Sequence, residues 1–269
     1  MLNRLFTNQL QLGLAQALAA AVVAYAVVLL ARRRKIHVES EAAVALVRGL
    51  VQIIAVGSVL VMMLQAPRWT GAFLLVAMIV AAGATSARRA KGVPGAFRVS
   101  TCSIACGAGS VIAIMTWLGV IDTAITALIP VGSMLIANAM NTNGLALNRF
   151  RSDVLAHVGE IETALALGAD PRPSVAPYVQ ASFEASLIPA IDSLRSLGIV
   201  WIPGLMAGML LSGSRPVYAA IYQFVVLAMI FGASGLTSLV STLLIRTHAF
   251  TTAEQLLLRP GISQAKVRD

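Results

Sequence analysis

Seven stretches of this chain are apolar over close to the roughly 20 residues that a helix needs to cross a bilayer. They fall near 10–31, 42–64, 71–87, 99–119, 124–147, 197–213 and 217–245. A segment in hydrocarbon must satisfy every backbone N–H and C=O within itself, so each stretch is expected to be a helix. Only 12% of the 269 residues are charged and 58% are hydrophobic, where a soluble domain carries about 25% charged residues. The expected fold class is all-α: a polytopic helical membrane protein, with 1–269 as a single membrane domain. Span 197–213 has the weakest signal, being short and interrupted by Pro203-Gly204.

The net charge of +9 is placed in clusters that flank apolar runs. Arg32-Arg33-Arg34-Lys35 follows the first span; Arg88, Arg89, Lys91 and Arg98 follow the third. Arg149, Arg151, Arg172 and Arg195 follow the fifth, and Arg246, Arg259, Lys266 and Arg268 follow the last. With seven spans, all four sets fall on one side, and the other side has only Arg4, Arg68 and Arg215. Basic residues mark the cytoplasm, so the N-terminus is expected outside and the C-terminus inside a bacterial inner membrane. No basic patch is interleaved with aromatic residues, which argues against nucleic acid as a partner. Trp69, beside Pro67 and Arg68, reads as an interfacial anchor.

The long polar interruption, 148–196, is expected to form a cytoplasmic insert with its own amphipathic helices. Val154, Val158, Ile161 and Leu165 share one helical face, with Glu160 and Glu162 off it. Gly168 ends that helix, and Pro171 and Pro173 stop it resuming. Phe183, Leu187, Ile191 and Leu194 mark a second helix, in which Pro189 should introduce a bend.

Polar groups inside spans usually face the bundle or a cavity. Asn138, Asn141 and Asn143, with Met134 and Met140, are therefore candidates for a pathway lining, as are Asp192, Met206 and Met209. The alternatives are interhelical hydrogen bonding for the amides and flexible filling for the methionines. Gly204 and Gly208 read as a small-xxx-small pair that lets helices approach. Arg48 and Gln52 share a face and suit a role between helices. Cys102 and Cys106 could receive a metal, but no His or carboxylate lies beside them in sequence. Gly232-Ala-Ser234-Gly235 with His248 looks like a rhomboid-protease serine motif, yet fourteen residues on one helix separate the pair by about 21 Å, too far for a dyad.

One set of motifs is more specific. Arg48-Gly-Leu-Val-Gln52 is followed by Ile129-Pro130-Val-Gly-Ser-Met-Leu-Ile-Ala-Asn138-Ala-Met140 and Glu162-Thr-Ala-Leu-Ala-Leu-Gly168-Ala-Asp-Pro171. Then come Ala185-Ser-Leu-Ile-Pro189-Ala-Ile-Asp192-Ser, Gly198-Ile-Val-Trp-Ile-Pro203-Gly204-Leu-Met206-Ala-Gly208 and Ala220-Ile-Tyr222-Gln223. In this order they resemble the bacterial iron-export ABC permease family (FetB-like), related to plant aluminium-tolerance permeases, over roughly residues 40–250. The resemblance implies a transport subunit, not an enzyme, paired with a second copy of itself and with a separate ATPase. ATP–Mg would sit on that partner, with no cofactor on this chain. The sequence agrees in having no Gly-x4-Gly-Lys-Ser/Thr loop. Glu162, Gly168 and Pro171 would couple to the ATPase. Pro130, Pro189, Pro203 and Gln223 would be structural. Another metal or a nucleotide sugar as cargo, or a self-contained channel or carrier, stands as the alternative.

Overall fold

The computed structural model describes residues 9–33, 39–63, 67, 69–90, 92–93, 95–251 and 255–258. Among these the structure is helical throughout, with two isolated bridges and no strand. The chain divides into two compact units, 1–66 and 67–269. In the first, α1 (Gln9–Arg33) packs along α2 (Glu39–Met63).

The second unit holds α3 (Trp69–Arg89), α4 (Ala96–Ile104), a π-turn (Ala105–Gly109) and α5 (Ser110–Trp117). It continues with α6 (Ile125–Ala156), α7 (Val158–Ala166), α8 (Pro171–Ser174), α9 (Ala176–Ser196), α10 (Gly204–Leu211) and α11 (Pro216–His248). Six rods among the described residues are long and apolar enough to cross a membrane: α1, α2, α3, the continuous α4–α5 rod, α6 and α11. The expected span at 197–213 is absent from that set. Its helical part, α10, has eight residues, or about 12 Å.

Two apolar clusters organise the bundle. One contains Leu75, Ile104, Val131, Leu135, Val226 and Ile230. The other contains Ala90, Val99, Phe150, Val154 and Ile245. The early part of α6 thus meets the early part of α11, and their later parts meet too, so these helices run parallel. Arg89 reaches α6 at Asn141, Arg151 lies against Gly92, and Arg246 follows Ile245. Arg88, Arg89, Arg149, Arg151 and Arg246 therefore share one end of the bundle, called the basic end below.

A chain that leaves α6 at the basic end and enters α11 at the opposite end must climb back between them. The helix α9 does most of this. His157 stacks on Tyr178 near its start. Ser186 bonds Ser238 of α11 midway. Leu194 and Leu197 reach the first cluster beyond that. The polar run that opens at Asn148 is still part of α6, which continues to Ala156, held by Phe150 and Val154 in the second cluster. The helix α9 is not suspended beyond the bundle but runs inside it. Arg195 consequently leaves the basic end, where charge counting had put it. Serines on α9 disguise the climb: Ser182 and Ser186 are buried, donating to the carbonyls of Val179 and Phe183.

Close approach depends on glycines other than the expected pair. A Cβ on Gly107 would meet the Thr237 backbone nitrogen at 2.6 Å, and one on Gly83 would meet the Thr101 Cα at 2.9 Å. A Cβ on Gly204 or Gly208 would meet nothing within 4 Å, so that pair sets no helix contact within the chain. The π-turn brings Gly107 to α11. The Ser110 hydroxyl donates back to the carbonyls of Cys106 and Gly107 in this turn.

Candidate functional site

Two places gather the candidate residues. The first is a cavity of about 310 Å³ between α6, α9, α10 and α11. Its walls include Met134, Asn138, Ser193, Trp201, Pro203 and Gln223. Asn138 turns its amide back to the Met134 carbonyl at 2.9 Å, leaving its Oδ1 available. Buried Gln223 accepts the Met206 backbone N–H at 3.2 Å. Pro203 caps the start of α10, so that N–H is one of the four that a helix leaves unpaired there. The side chain of Gln223 thereby ties the short helix to α11. Gln223, Pro203 and Asn138 all line the cavity.

Other candidates lie elsewhere. Met140 packs against the first apolar cluster. Exposed Asn141 accepts from Arg89 Nη1 at 2.9 Å. Asn143 is fully buried and donates to the hydroxyls of Ser86 and Ser100 at 2.7 and 2.8 Å, so it joins α3, α4 and α6. Its Oδ1 has no partner. Asn143→Leu is expected to destabilise the fold by about 1–3 kcal/mol, read as a lower melting temperature in detergent; exposed Asn141→Leu should shift it less. Met209 is outside the cavity lining, and its carbonyl accepts from the backbone of Ser214. Pro130 and Pro189 lie within α6 and α9, their carbonyls accepting from Ser133 and Ser193. Arg48 and Gln52 line a shallow groove on α2. Cys102 and Cys106 are exposed, and among the described residues no three His, Cys, Asp or Glu side chains come together as a metal site. Ser234 and His248 sit on the single helix α11.

The second place is the elbow beyond the basic end. The helix α7 starts directly after His157, whose Nδ1 pairs with the Asp153 carbonyl at 2.8 Å. Val158, Ile161 and Leu165 press into the second cluster, the face that the spacing predicts. Burial, then the carboxylates of Glu160 and Asp153, push the Tyr178 phenol above its ordinary value. Arg149 holds Asp153 at 2.9 Å. Glu162 is half-buried on α7. Gly168 takes φ of +89°, a left-handed conformation natural for glycine after a helix. Pro171 is the first residue of α8, where its missing N–H costs nothing.

The turn also displays Leu167, 84% exposed between exposed Ala166 and Gly168. Pattern reading had absorbed this leucine into the helix. Its position one residue before the terminating glycine was the available signal. Beside the tip, Asp170, Arg172, Arg246 and Phe250 line an open pocket.

Long apolar helices enclosing a small neutral cavity, with a rigid elbow beyond one end, define a multi-pass helical membrane protein. The chain belongs to the family described as "Uncharacterised protein family (UPF0014)", which matches residues 14–250. It is 34% identical to "UPF0014 membrane protein STAR2" of Oryza sativa subsp. japonica, covering 93% of this chain and 88% of the relative. It is 32% identical to "Protein ALUMINUM SENSITIVE 3" of Arabidopsis thaliana, covering 91% and 90%. It is 31% identical to "Probable iron export permease protein FetB" of Escherichia coli (strain K12), covering 91% and 94%. No solved structure matches the chain.

Proposed function

We propose that this chain is the membrane subunit of an ABC exporter, working as two copies with a separate ATPase and moving a metal ion such as iron out of the cytoplasm. The observation that carries the reading is the exposed Leu167–Gly168 tip on a helix seated by Ile161 in the same cluster as α6 and α11. A force at the tip passes through Ile161 to Phe150 and Ile245, the ends of the two helices that wall the cavity. Such coupling requires that the tip's contacts differ between two states of the machine. The basic end faces the cytoplasm in this reading, which places the N-terminus outside. The Escherichia coli relative's printed name supports iron as cargo.

The energy source lies outside the chain. ATP–Mg on the partner would close its two subunits, and Glu162, Gly168 and Pro171 would shape the elbow that follows them. Gln223 holds the start of α10 against α11, so Gln223→Leu is expected to reduce flux several-fold while the ATPase still binds. ATPase association measured beside flux checks this, and loss of both would place Gln223 in assembly instead.

A second reading, an organic solute as cargo, is favoured by one observation. The cavity walls offer amides, a hydroxyl, a thioether and an indole, and no carboxylate or imidazole. The deciding experiment is ATP-driven flux in vesicles holding this chain and its ATPase, with iron(II), manganese(II), zinc(II) and no metal. Flux of iron(II) that needs the ATPase supports the proposal. ATPase stimulation without metal flux keeps the machine and discards the metal. Neither response in an assembled complex discards both.

A further inference from the structure

The pocket beside the tip holds a positive charge that the chain itself leaves unanswered. It has a volume of about 580 Å³ and opens between α8 and the end of α11. Its charged walls are Arg172, Arg246 and Asp170. Two guanidiniums and one carboxylate leave one net positive charge. Among the described residues, neither pocket arginine is in an ion pair. The Nε of Arg246 is buried and has no hydrogen-bond partner. A buried donor left unpaired on a charged group is costly and calls for an acceptor. The neighbouring Thr247 hydroxyl is turned to the Leu244 carbonyl at 2.7 Å. From Pro216 to Arg246, α11 rises about 45 Å, the thickness of a bilayer with its headgroups. Arg246 therefore stands at headgroup level. Toward the bilayer centre, Leu236, Leu239 and Leu243 of α11 are exposed. Spacings of three and four place them on one stripe that ends at Arg246 and Thr247. Leu239 and Leu236 are about 10 and 15 Å from Arg246 along the axis, beyond one headgroup layer of about 5–8 Å. An apolar stripe thus runs out of the hydrocarbon and ends at a positively charged pocket.

We propose that this pocket binds one anionic glycerophospholipid, its phosphate held between Arg246 and Arg172 and an acyl chain lying along Leu243, Leu239 and Leu236. A guanidinium presents a planar fork of donors that matches phosphate oxygens. The phosphate supplies the acceptor that the Nε of Arg246 lacks. A phosphodiester carries one negative charge, which cancels the net charge of the pocket. Asp170 then selects among headgroups. Its carboxylate accepts from hydroxyls, as on a glycerol headgroup. A choline headgroup has no hydroxyl or N–H to donate, and its own positive charge leaves that of the pocket unbalanced. Free phosphate offers the same oxygens but no chain for the leucine stripe. An acidic side chain of a partner protein does not reach the stripe at hydrocarbon depth. A bound lipid would tie α8, which follows the tip, to the end of α11. The site depends only on the basic end lying at a membrane surface, and not on what the chain transports.

The test uses the full chain, purified in a neutral detergent and stripped of lipid. It is titrated with dioctanoyl phosphatidylglycerol, dioctanoyl phosphatidylcholine and inorganic phosphate. Binding is read by native mass spectrometry and by the melting temperature. Phosphatidylglycerol is expected to bind at least about fivefold tighter than phosphatidylcholine, and Arg246→Gln and Arg172→Gln should each weaken it at least about fivefold, the worth of one basic residue toward an anionic lipid. Arg88→Gln removes the same charge from an exposed position of the same end, outside the pocket, and should leave the affinity almost unchanged. Leu239→Gln should weaken phosphatidylglycerol without touching the arginines. Equal affinity for the two lipids overturns the proposal. An equal loss in Arg88→Gln means diffuse charge at that end and overturns it too. Inorganic phosphate that displaces phosphatidylglycerol at equal concentration means a free-anion site and discards the lipid. Phosphatidylglycerol released by an added partner ATPase assigns the arginines to a protein contact and likewise overturns it. If Arg246→Gln fails to fold, the exposed Arg172→Gln decides alone.

Discussion

Leu167→Asp is expected to cut ATPase association and ATP-driven flux by roughly tenfold or more, with the folded yield and melting temperature unchanged. The side chain is 84% exposed, so its removal takes nothing from the chain's own core. Burying a leucine on a partner contributes about 1.5–3 kcal/mol, and 1.4 kcal/mol is tenfold in Kd. A carboxylate at that position adds the cost of desolvating a charge. Co-purification with the ATPase, flux in vesicles and a melting curve read the three quantities separately. Full association of the Asp variant would remove the tip as the docking element. Leu167→Met, of similar volume, should restore most of the association.

Gly107→Leu is expected to abolish the folded protein, and Gly107→Ala to lower its melting temperature by roughly 5–10 °C. A Cβ on Gly107 would lie 2.6 Å from the Thr237 nitrogen and 2.8 Å from the Ala233 carbonyl. Both are backbone atoms of α11, so no side-chain rotation relieves the clash and the helices must separate. Overpacking of this kind costs about 1–3 kcal/mol, and a shift of about 2–4 °C accompanies each kcal/mol in a chain of this size. Gly204→Ala is the matched control, since nothing lies within 4 Å of the added methyl. Size-exclusion profiles in detergent, followed by thermal melts, measure both. A normal melt for Gly107→Ala would mean that α11 stands further from the π-turn than described here.

The helices and the basic end were legible because hydropathy and charge are properties of short windows. The face of α7 was legible for the same reason: Val158, Ile161 and Leu165 repeat at helical spacing, and Gly168 stops them. The helix α9 was misjudged because its polarity is high on both sides, for different reasons. Ser182 and Ser186 are hidden by bonding their own backbone, while Asp192 and Arg195 are exposed at bundle depth. A hydropathy average cannot separate a serine bonded to its own helix from one bonded to water. Among the candidate residues, Asn138 and Gln223 reach the cavity, whereas Met140 and Asn141 meet neighbours within the bundle. Helical spacing alone could not sort them, because these side chains differ in which neighbour they meet.

What the sequence determined by itself is that this chain must be a set of membrane helices, since an unbroken apolar run of about 20 residues satisfies its own backbone in lipid only as a helix, with most of its basic clusters on one side. Seven spans with the basic sets on one side already implied that α6 and α11 run parallel; only the tertiary structure decided that α9, with the short α10, and not a span at 197–213, supplies the return between them. The physical reason is that direction and depth come from contacts such as Ser186 with Ser238 and Gly107 with Thr237. Those contacts join residues far apart in the chain, which no local pattern records.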